Sequence, residues 1–250
     1  MPTKISWTDE TWNPVTGCSH VSEGCRNCYA EALSHRFGWT TAPWTAQNAA
    51  QNVVTHPERI AHVRRFKAGS KVFVCSMSDL FHEEVPDAFV RAVLEAIESR
   101  PDCTFQLLTK RPERMLLCPI PENVWAGTTV EDPYSVWRIG QLRRSTARTR
   151  FLSVEPLLGQ LGTLDLRDID WVIVGGESGP RRRPMDMAWA REVRDQCVAA
   201  GVAFFFKQAG GPRPGTPEYL IEEDGSAWLW RQWPGQLVPP ERVALGEERG

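Results

Sequence analysis

Between residues 71 and 208, short apolar runs alternate with stretches whose apolar positions recur three and four apart. The first pattern fits buried strands, and the second fits helices with one inward face. KVFVCS reads as a strand. DAFVRAVLEAIESR reads as a helix turning Phe89, Val90, Val93, Leu94 and Ile97 inward, with Asp87 as its cap. TFQLLT is a strand and PERMLL a short helical turn. VWAGTT is a strand, after which Asp132 and Pro133 stand in the preferred order to open a helix over YSVWRIGQLRR. RFLSV and WVIVGG are strands, the first followed by the looped EPLLGQLGTLDL. MAWAREVRDQCVAA is a helix capped by Asp186 and closed by Gly201, and VAFFFKQ is a last strand. Upstream, Lys4–Thr8 is a candidate first strand, and YAEALSHRF a helix with Ala30, Leu33 and Phe37 on one face. Pro57 opens a short helix containing Ile60, Val63, Arg64 and Arg65.

Strands of this length, alternating with helices, argue for a parallel sheet covered on both sides. The expected fold is therefore α/β: a partial or complete parallel TIM-like barrel of about six or seven βα units, with a doubly wound open sheet as the alternative. The barrel is favoured because polar residues recur directly after the strands. They are Ser76, Ser78 and Asp79; Thr109, Lys110 and Arg111; Thr128, Thr129 and Glu131; Ser153 and Glu155; Gly175, Gly176, Glu177 and Ser178; Lys207 and Gln208. In a barrel these would meet at the carboxyl ends of the strands, where such folds keep their chemistry. Residues 1–210 form the expected barrel domain, with a basic insertion over 39–70. Residues 211–250 form a tail packed on it, in which YLIEEDGSAWLW makes a hairpin turning at Asp224-Gly225 and Trp228, Trp230 and Trp233 are partly buried.

Composition changes this picture modestly. At 250 residues and 42% hydrophobic, the chain can bury a substantial core. No apolar run approaches the roughly 20 residues that span a bilayer, and MPTKISWTDE has no signal-peptide core. A cytoplasmic protein with reduced thiols and no membrane partner is expected. The net charge of −2 makes the molecule no magnet for nucleic acid as a whole. Basic residues nevertheless cluster at Arg59, Arg64, Arg65 and Lys67, at Arg143, Arg144, Arg148 and Arg150, and at Arg181, Arg182 and Arg183. Each cluster reads either as a solvated face or as a contact for phosphate. Some of the eleven tryptophans could stack on a base.

The chemistry-bearing stretch is TWNPVTGCSHVSEGCRNCYAE, residues 11–31, which holds three of the seven cysteines at spacing C-x6-C-x2-C. The closer pair can deliver both sulfurs to one centre. Cys28 would sit at a helix N-terminus, where the dipole and free N–H groups favour a thiolate. Burial of the thiols as small hydrophobes fits poorly with a segment this polar, and a disulfide fits poorly with a reducing compartment. Zinc, with His20 or His35 as the fourth ligand, and an iron–sulfur cluster both remain open on spacing alone. Cys75, Cys103, Cys118 and Cys197 read as packing.

The cysteine loop, taken with VCSMSDLFH, LLTKRP, GTTVE, SVEPLLG, VIVGGESG and FKQ, resembles the radical S-adenosyl-L-methionine (radical SAM) superfamily. More narrowly, it resembles the compact, mostly phage-encoded proteins known by a three-cysteine motif, which would place the chain in the host bacterial cytoplasm. The resemblance implies that Cys18, Cys25 and Cys28 hold a 4Fe-4S cluster with one open iron. S-adenosyl-L-methionine would chelate that iron, and an electron donor would supply the electron that yields a 5′-deoxyadenosyl radical. The chain departs from the superfamily pattern in its longer first gap, and in having Asn27 before Cys28 with the aromatic Tyr29 after it. Its glycine-glycine-glutamate triplet, Gly175-Gly176-Glu177, follows a late strand, while Ser76, Ser78 and Asp79 stand in the usual place.

Cofactor contacts are expected from Tyr29, Ser76, Ser78, Asp79, Lys110, Glu155, Gly175, Gly176 and Glu177. Substrate contacts are expected from Arg111, Arg181, Lys207 and Gln208. The competing reading makes Lys110, Arg111 and Lys207 a salt-bridge layer with Asp79, Glu155 and Glu177. The expected function is a radical SAM-type iron–sulfur enzyme acting on a nucleic-acid base or nucleotide, in DNA repair or modification. The alternatives are a non-catalytic metal- or cluster-containing protein that binds nucleic acid or a partner, and a radical enzyme acting on a small metabolite or peptide.

Overall fold

The computed structural model describes Thr3, residues 5–212 and residues 216–245. In chain order the strands and helices are β1 (Glu10–Trp12), β2 (Val15–Thr16), α1 (Tyr29–Arg36), α2 (Ala49–Asn52), β3 (Val54–Thr55) and β4 (Lys71–Val74). Next come α3 (Asp87–Glu98), β5 (Thr104–Thr109), α4 (Pro112–Met115), β6 (Val124–Thr129), α5 (Trp137–Arg143) and β7 (Thr149–Val154). The last are β8 (Trp171–Gly175), α6 (Met187–Ala200), β9 (Ala203–Gln208), β10 (Leu220–Ile221), β11 (Ala227–Leu229) and β12 (Glu241–Val243). A 3-10 segment covers Pro57–Arg65.

Seven strands form one sheet in the order β1-β4-β5-β6-β7-β8-β9. The β1–β4, β4–β5, β5–β6, β7–β8 and β8–β9 pairings are parallel. Each strand of the sheet lies beside its predecessor, so the winding never reverses. A doubly wound sheet would reverse at a switch point; this order is that of a partial (β/α) barrel. β10 and β11 pair antiparallel with Gly225 at φ 80°, which is the expected hairpin. β12 adds a third strand to it.

The chain divides into two compact units, Met1–Thr129 with Gly140–Arg150, and Val130–Ile139 with Phe151–Gly250. In the first, Val72, Val74, Phe105 and Leu107 from β4 and β5 are buried, as are Val90, Val93, Leu94 and Ile97 of α3. In the second, Trp171 lies at the centre of an aromatic cluster, 5.7 Å from Phe151, 5.8 Å from Phe205 and 5.1 Å from Trp233. Its Nε1 donates to Gln232 O at 2.9 Å, which satisfies the one polar atom of a fully buried indole.

Three local expectations are corrected. The first strand is Glu10–Trp12, not Lys4–Thr8: register with Val72, Phe73 and Val74 selects it, and Lys4 itself lies outside the described residues. Phe37 is not on the inner face of α1. The helix ends at Arg36, and Phe37 stands 57% exposed and stacked on Trp39. Asp87 is the first helical residue of α3 rather than its cap, because Pro86 takes the cap position. Among the described residues no helix is long and apolar enough to cross a membrane.

Candidate metal centre

The cysteine loop leaves β2 and is shaped by backbone geometry. Gly17 has φ 81°, and a Cβ there would fall 1.9 Å from Asn52 O, so only glycine fits. Gly17 N–H donates to Met77 O at 3.1 Å, and Ser78 Oγ donates to Val15 O at 2.7 Å. Asn13 Oδ1 accepts from Ser76 Oγ at 3.2 Å and from Met77 N–H at 3.1 Å. Tyr29 OH donates to Ser76 O at 2.5 Å. Ser76, Ser78 and Tyr29 thus fasten the loop after β4 to the cysteine loop. Between the cysteines the chain turns tightly, with Cys25 N–H on Ser22 O at 3.0 Å and Cys28 N–H on Cys25 O at 3.1 Å.

Cys18, Cys25 and Cys28 are all free and half-buried. Burial pushes the Cys18 thiol up to about 12; Asp79, Cys25 and Cys28 push the same way, while Arg111 pulls it down. Cys28 is also raised by burial, against a downward pull from the N–H groups of Glu31 and Ala30 at the start of α1 and from Lys110. The thiols therefore lie within electrostatic reach of one another, beside two cations and a helix N-terminus. Among the described residues, no three His, Cys, Asp or Glu side chains stand as a ready site for a single metal ion. Both histidines considered as zinc ligands are turned to Glu31, His20 Nε2 at 2.7 Å from Oε2 and His35 Nε2 at 3.7 Å from Oε1.

Behind Cys18 lies a hub of which the sequence offered only the Arg111–Asp79 pair, in the competing salt-bridge reading, and not the contacts to Cys18, Ser19 and Glu83. Arg111, only 3% exposed, donates through Nη1 to Cys18 Sγ at 3.7 Å and through Nη2 to Ser19 O and Oγ at 3.2 and 3.1 Å. Its Nε meets both Glu83 oxygens at 3.0 and 2.8 Å, and Nη1 lies 3.4 Å from Asp79 Oδ2. Buried Asp79 is held by Thr109 Oγ1 at 2.8 Å and by the N–H groups of Phe81 and Lys110 at 3.0 and 3.1 Å. His82 Nδ1 accepts from Glu84 N–H at 3.0 Å, so the neutral ring carries its proton on Nε2, 2.8 Å from Ser19 Oγ. Burial, then Arg111, lowers the His82 pKa to about 4. Lys110 Nζ reaches Ser22 Oγ at 3.4 Å.

The remaining expected residues lie in the second unit. Lys207 Nζ pairs with Glu155 Oε1 at 2.9 Å at the ends of β9 and β7. A Cβ on Gly175 would fall 2.6 Å from that same Glu155 oxygen, and one on Gly176 would fall 2.3 Å from Ala209 O. Both glycines therefore let neighbouring groups approach the end of β8. Gln208 Nε2 donates to Gly176 O at 2.8 Å. Glu177 is buried and takes Arg183, both through its N–H at 2.7 Å and through the guanidinium, whereas Arg181 is exposed. Two clusters thus emerge: Cys18, Cys25, Cys28, Tyr29, Ser76, Ser78, Asp79, Lys110 and Arg111 in one unit, and Glu155, Gly175, Gly176, Glu177, Lys207 and Gln208 in the other.

A model of the family described as "Protein of unknown function (DUF5131)" matches residues 2–236. The narrower likeness to the three-cysteine-motif proteins has no counterpart in that match. No curated protein matches the sequence. Among solved structures the chain is similar to spore photoproduct lyase complexed with dinucleoside spore photoproduct, at TM-score 0.42 and 11% identity over 94% of this chain and 68% of that one. A doubly substituted variant of that lyase, with bound AdoMet and dinucleoside spore photoproduct, gives TM-score 0.46 and 11% identity over 99% and 72%. A singly substituted variant gives 0.46 and 12% over the same shares. Similarity at this level carries nothing about substrate.

Proposed function

The chain belongs to the DUF5131 family, and from that premise we propose that this member is a radical SAM-type iron–sulfur enzyme acting on a nucleic-acid base or nucleotide. The observation that carries the reading is the set of free thiols at Cys18, Cys25 and Cys28, gathered on one tightly turned loop and faced by Arg111 Nη1 at 3.7 Å from Cys18 Sγ and by Lys110. The donor set fits a 4Fe-4S cluster: soft thiolate ligands, one fewer than the irons, beside cations that offset their charge. Cys18, Cys25 and Cys28 would hold the cluster. Bound together, cluster and S-adenosyl-L-methionine supply one-electron cleavage of a sulfonium and so a radical able to take hydrogen from an unactivated carbon.

The chain's own groups have definable tasks. Lys110, half-buried beside Cys28, offsets thiolate charge and can meet a carboxylate. Glu155, held by Lys207 under the bare Cα of Gly175, offers a fixed acceptor for an ammonium or ribose hydroxyl. A nucleic-acid or nucleotide substrate is favoured by exposed Arg64, Arg65 and Lys67 in the first unit and by exposed Arg181 and Arg182 in the second.

A second reading, a non-catalytic cluster or zinc protein, is favoured by one specific observation. Ser76, Ser78, Tyr29, Gln208 and Glu177 already have partners within the protein. Anaerobic reconstitution with iron, sulfide, reductant and S-adenosyl-L-methionine separates the two. Formation of 5′-deoxyadenosine above a Cys28→Ala control supports the enzyme. A stable cluster or zinc with no such product, and salt-sensitive DNA binding, supports the second.

A further inference from the structure

Arg111 follows a strand at the expected position for a substrate contact, yet it is 3% exposed and its donors are already committed. A guanidinium so far from water is tolerated only where anions and acceptors surround it. Here Asp79 lies on one side at 3.4 Å, and Glu83 takes Nε at 2.8 and 3.0 Å. The two carboxylates more than offset the one cation, so it needs no ligand to neutralise it. What remains of the fork points at the cysteine loop: Nη2 holds Ser19 O and Oγ, and Nη1 faces Cys18 Sγ at 3.7 Å. The side chain thus grips both the ligand sulfur and the residue after it.

We propose that Arg111 is a positioning residue that fixes Cys18 and raises the reduction potential of the centre Cys18 binds, a role that rests on the iron–sulfur reading above. Hydrogen bonds to ligand sulfurs and nearby charge are among the levers by which a protein sets such potentials. Reduction adds one electron to the site, with no proton required. A fixed cation against a ligand sulfur favours the more negative state, and a carboxylate nearby opposes it. Arg111 and Glu83 therefore act in opposite directions on the same quantity. Glu83 is the useful counterpart because its side chain is 59% exposed, so its charge can be removed without opening a buried gap.

The test is an anaerobic redox titration, with dithionite as the reductant and the electron paramagnetic resonance signal of the reduced centre as the readout. Reconstituted wild type is compared with Arg111→Gln, Arg111→Lys and Glu83→Gln at matched iron and sulfide content. The expected midpoints fall in the order Glu83→Gln, wild type, Arg111→Lys, Arg111→Gln, from highest to lowest. Should Arg111→Gln fail to fold, Arg111→Lys and Glu83→Gln still bracket the wild type from opposite sides. Midpoints that coincide in all loaded proteins, or a Glu83→Gln midpoint below wild type, overturn the inference and leave the iron–sulfur reading standing. A wild-type protein that takes up no iron and sulfide overturns both.

Discussion

At the scale of single residues, the centre depends on positions whose importance has different origins. Gly17 is fixed by sterics: its φ of 81° and the 1.9 Å approach of a Cβ to Asn52 O leave no room for alanine. Gly17→Ala should cost roughly 3 kcal/mol or more, visible as a lower urea midpoint, and should reduce iron retention. His82 is fixed by burial, at 1% exposure, and stays neutral down to about pH 4. An unfolded histidine takes up its proton near pH 6.5. Between those values the unfolded chain binds more protons, so stability must fall as pH drops from about 6.5 to about 4. The loss is on the order of 3 kcal/mol and complete below the lower value. In His82→Gln this part of the acid limb should flatten, as read by denaturant unfolding at pH 7, 5.5 and 4; an unchanged limb counts against the assignment. The cysteine spacing was legible because it is local. The Arg111 contact to Cys18 was not, because 93 residues separate the partners and only the fold brings them together.

At the scale of elements, legibility follows how much of the instruction lies within the element itself. Helix α6 carries its own start and stop. Asp186 Oδ1 accepts Ala188 N–H at 2.8 Å, and Gly201 closes the helix at φ 67°. Asp186→Ala should cost about 1 kcal/mol, and Gly201→Ala a similar amount, about 1 kcal/mol. Thermal melts of the single and double variants check this, with near-additive losses expected because the two ends share no partner. Strand β1 had no such internal marks. Ile5 and Trp7 alternate with polar residues as a strand would, but the pairing surface of Val72–Val74 selects Glu10–Trp12. Helix α1 fails at its end for a related reason. The apolar spacing of Ala30, Leu33 and Phe37 suggests one face, yet the helix stops at Arg36, and Phe37 packs on Trp39 at 5.2 Å instead.

At the scale of the whole molecule, the strands β4 to β9 of the sheet were readable because each announced itself by an apolar run ending in polar residues, whereas β1 did not. β12 was not readable either, since Glu241, Arg242 and Val243 carry no such mark and pair only because Ala227–Leu229 offers an edge. The division into two units has a consequence for metal binding. Every thiol of the candidate centre lies in Met1–Thr129, as do Asp79, Lys110 and Arg111. Binding free energy at such a site is also folding free energy, but only for the residues the site organises. Stability within a chain is spent unevenly, in cooperative segments that open separately. On the iron–sulfur reading, removing iron with a chelator should therefore lower amide protection in residues 10–36 and 71–83, where Gly17, Tyr29, Ser76 and Ser78 tie the cysteine loop to the end of β4. Protection in β8 and β9 should change little, since their core is the aromatic cluster around Trp171. Hydrogen exchange read by mass spectrometry on loaded protein, chelated protein and Cys28→Ala distinguishes the cases. Loss confined to the first set, and absent when Cys28→Ala is chelated, is the expected outcome. Equal loss in both units would mean that the metal organises the molecule as a whole and that the centre is not local to the cysteine loop.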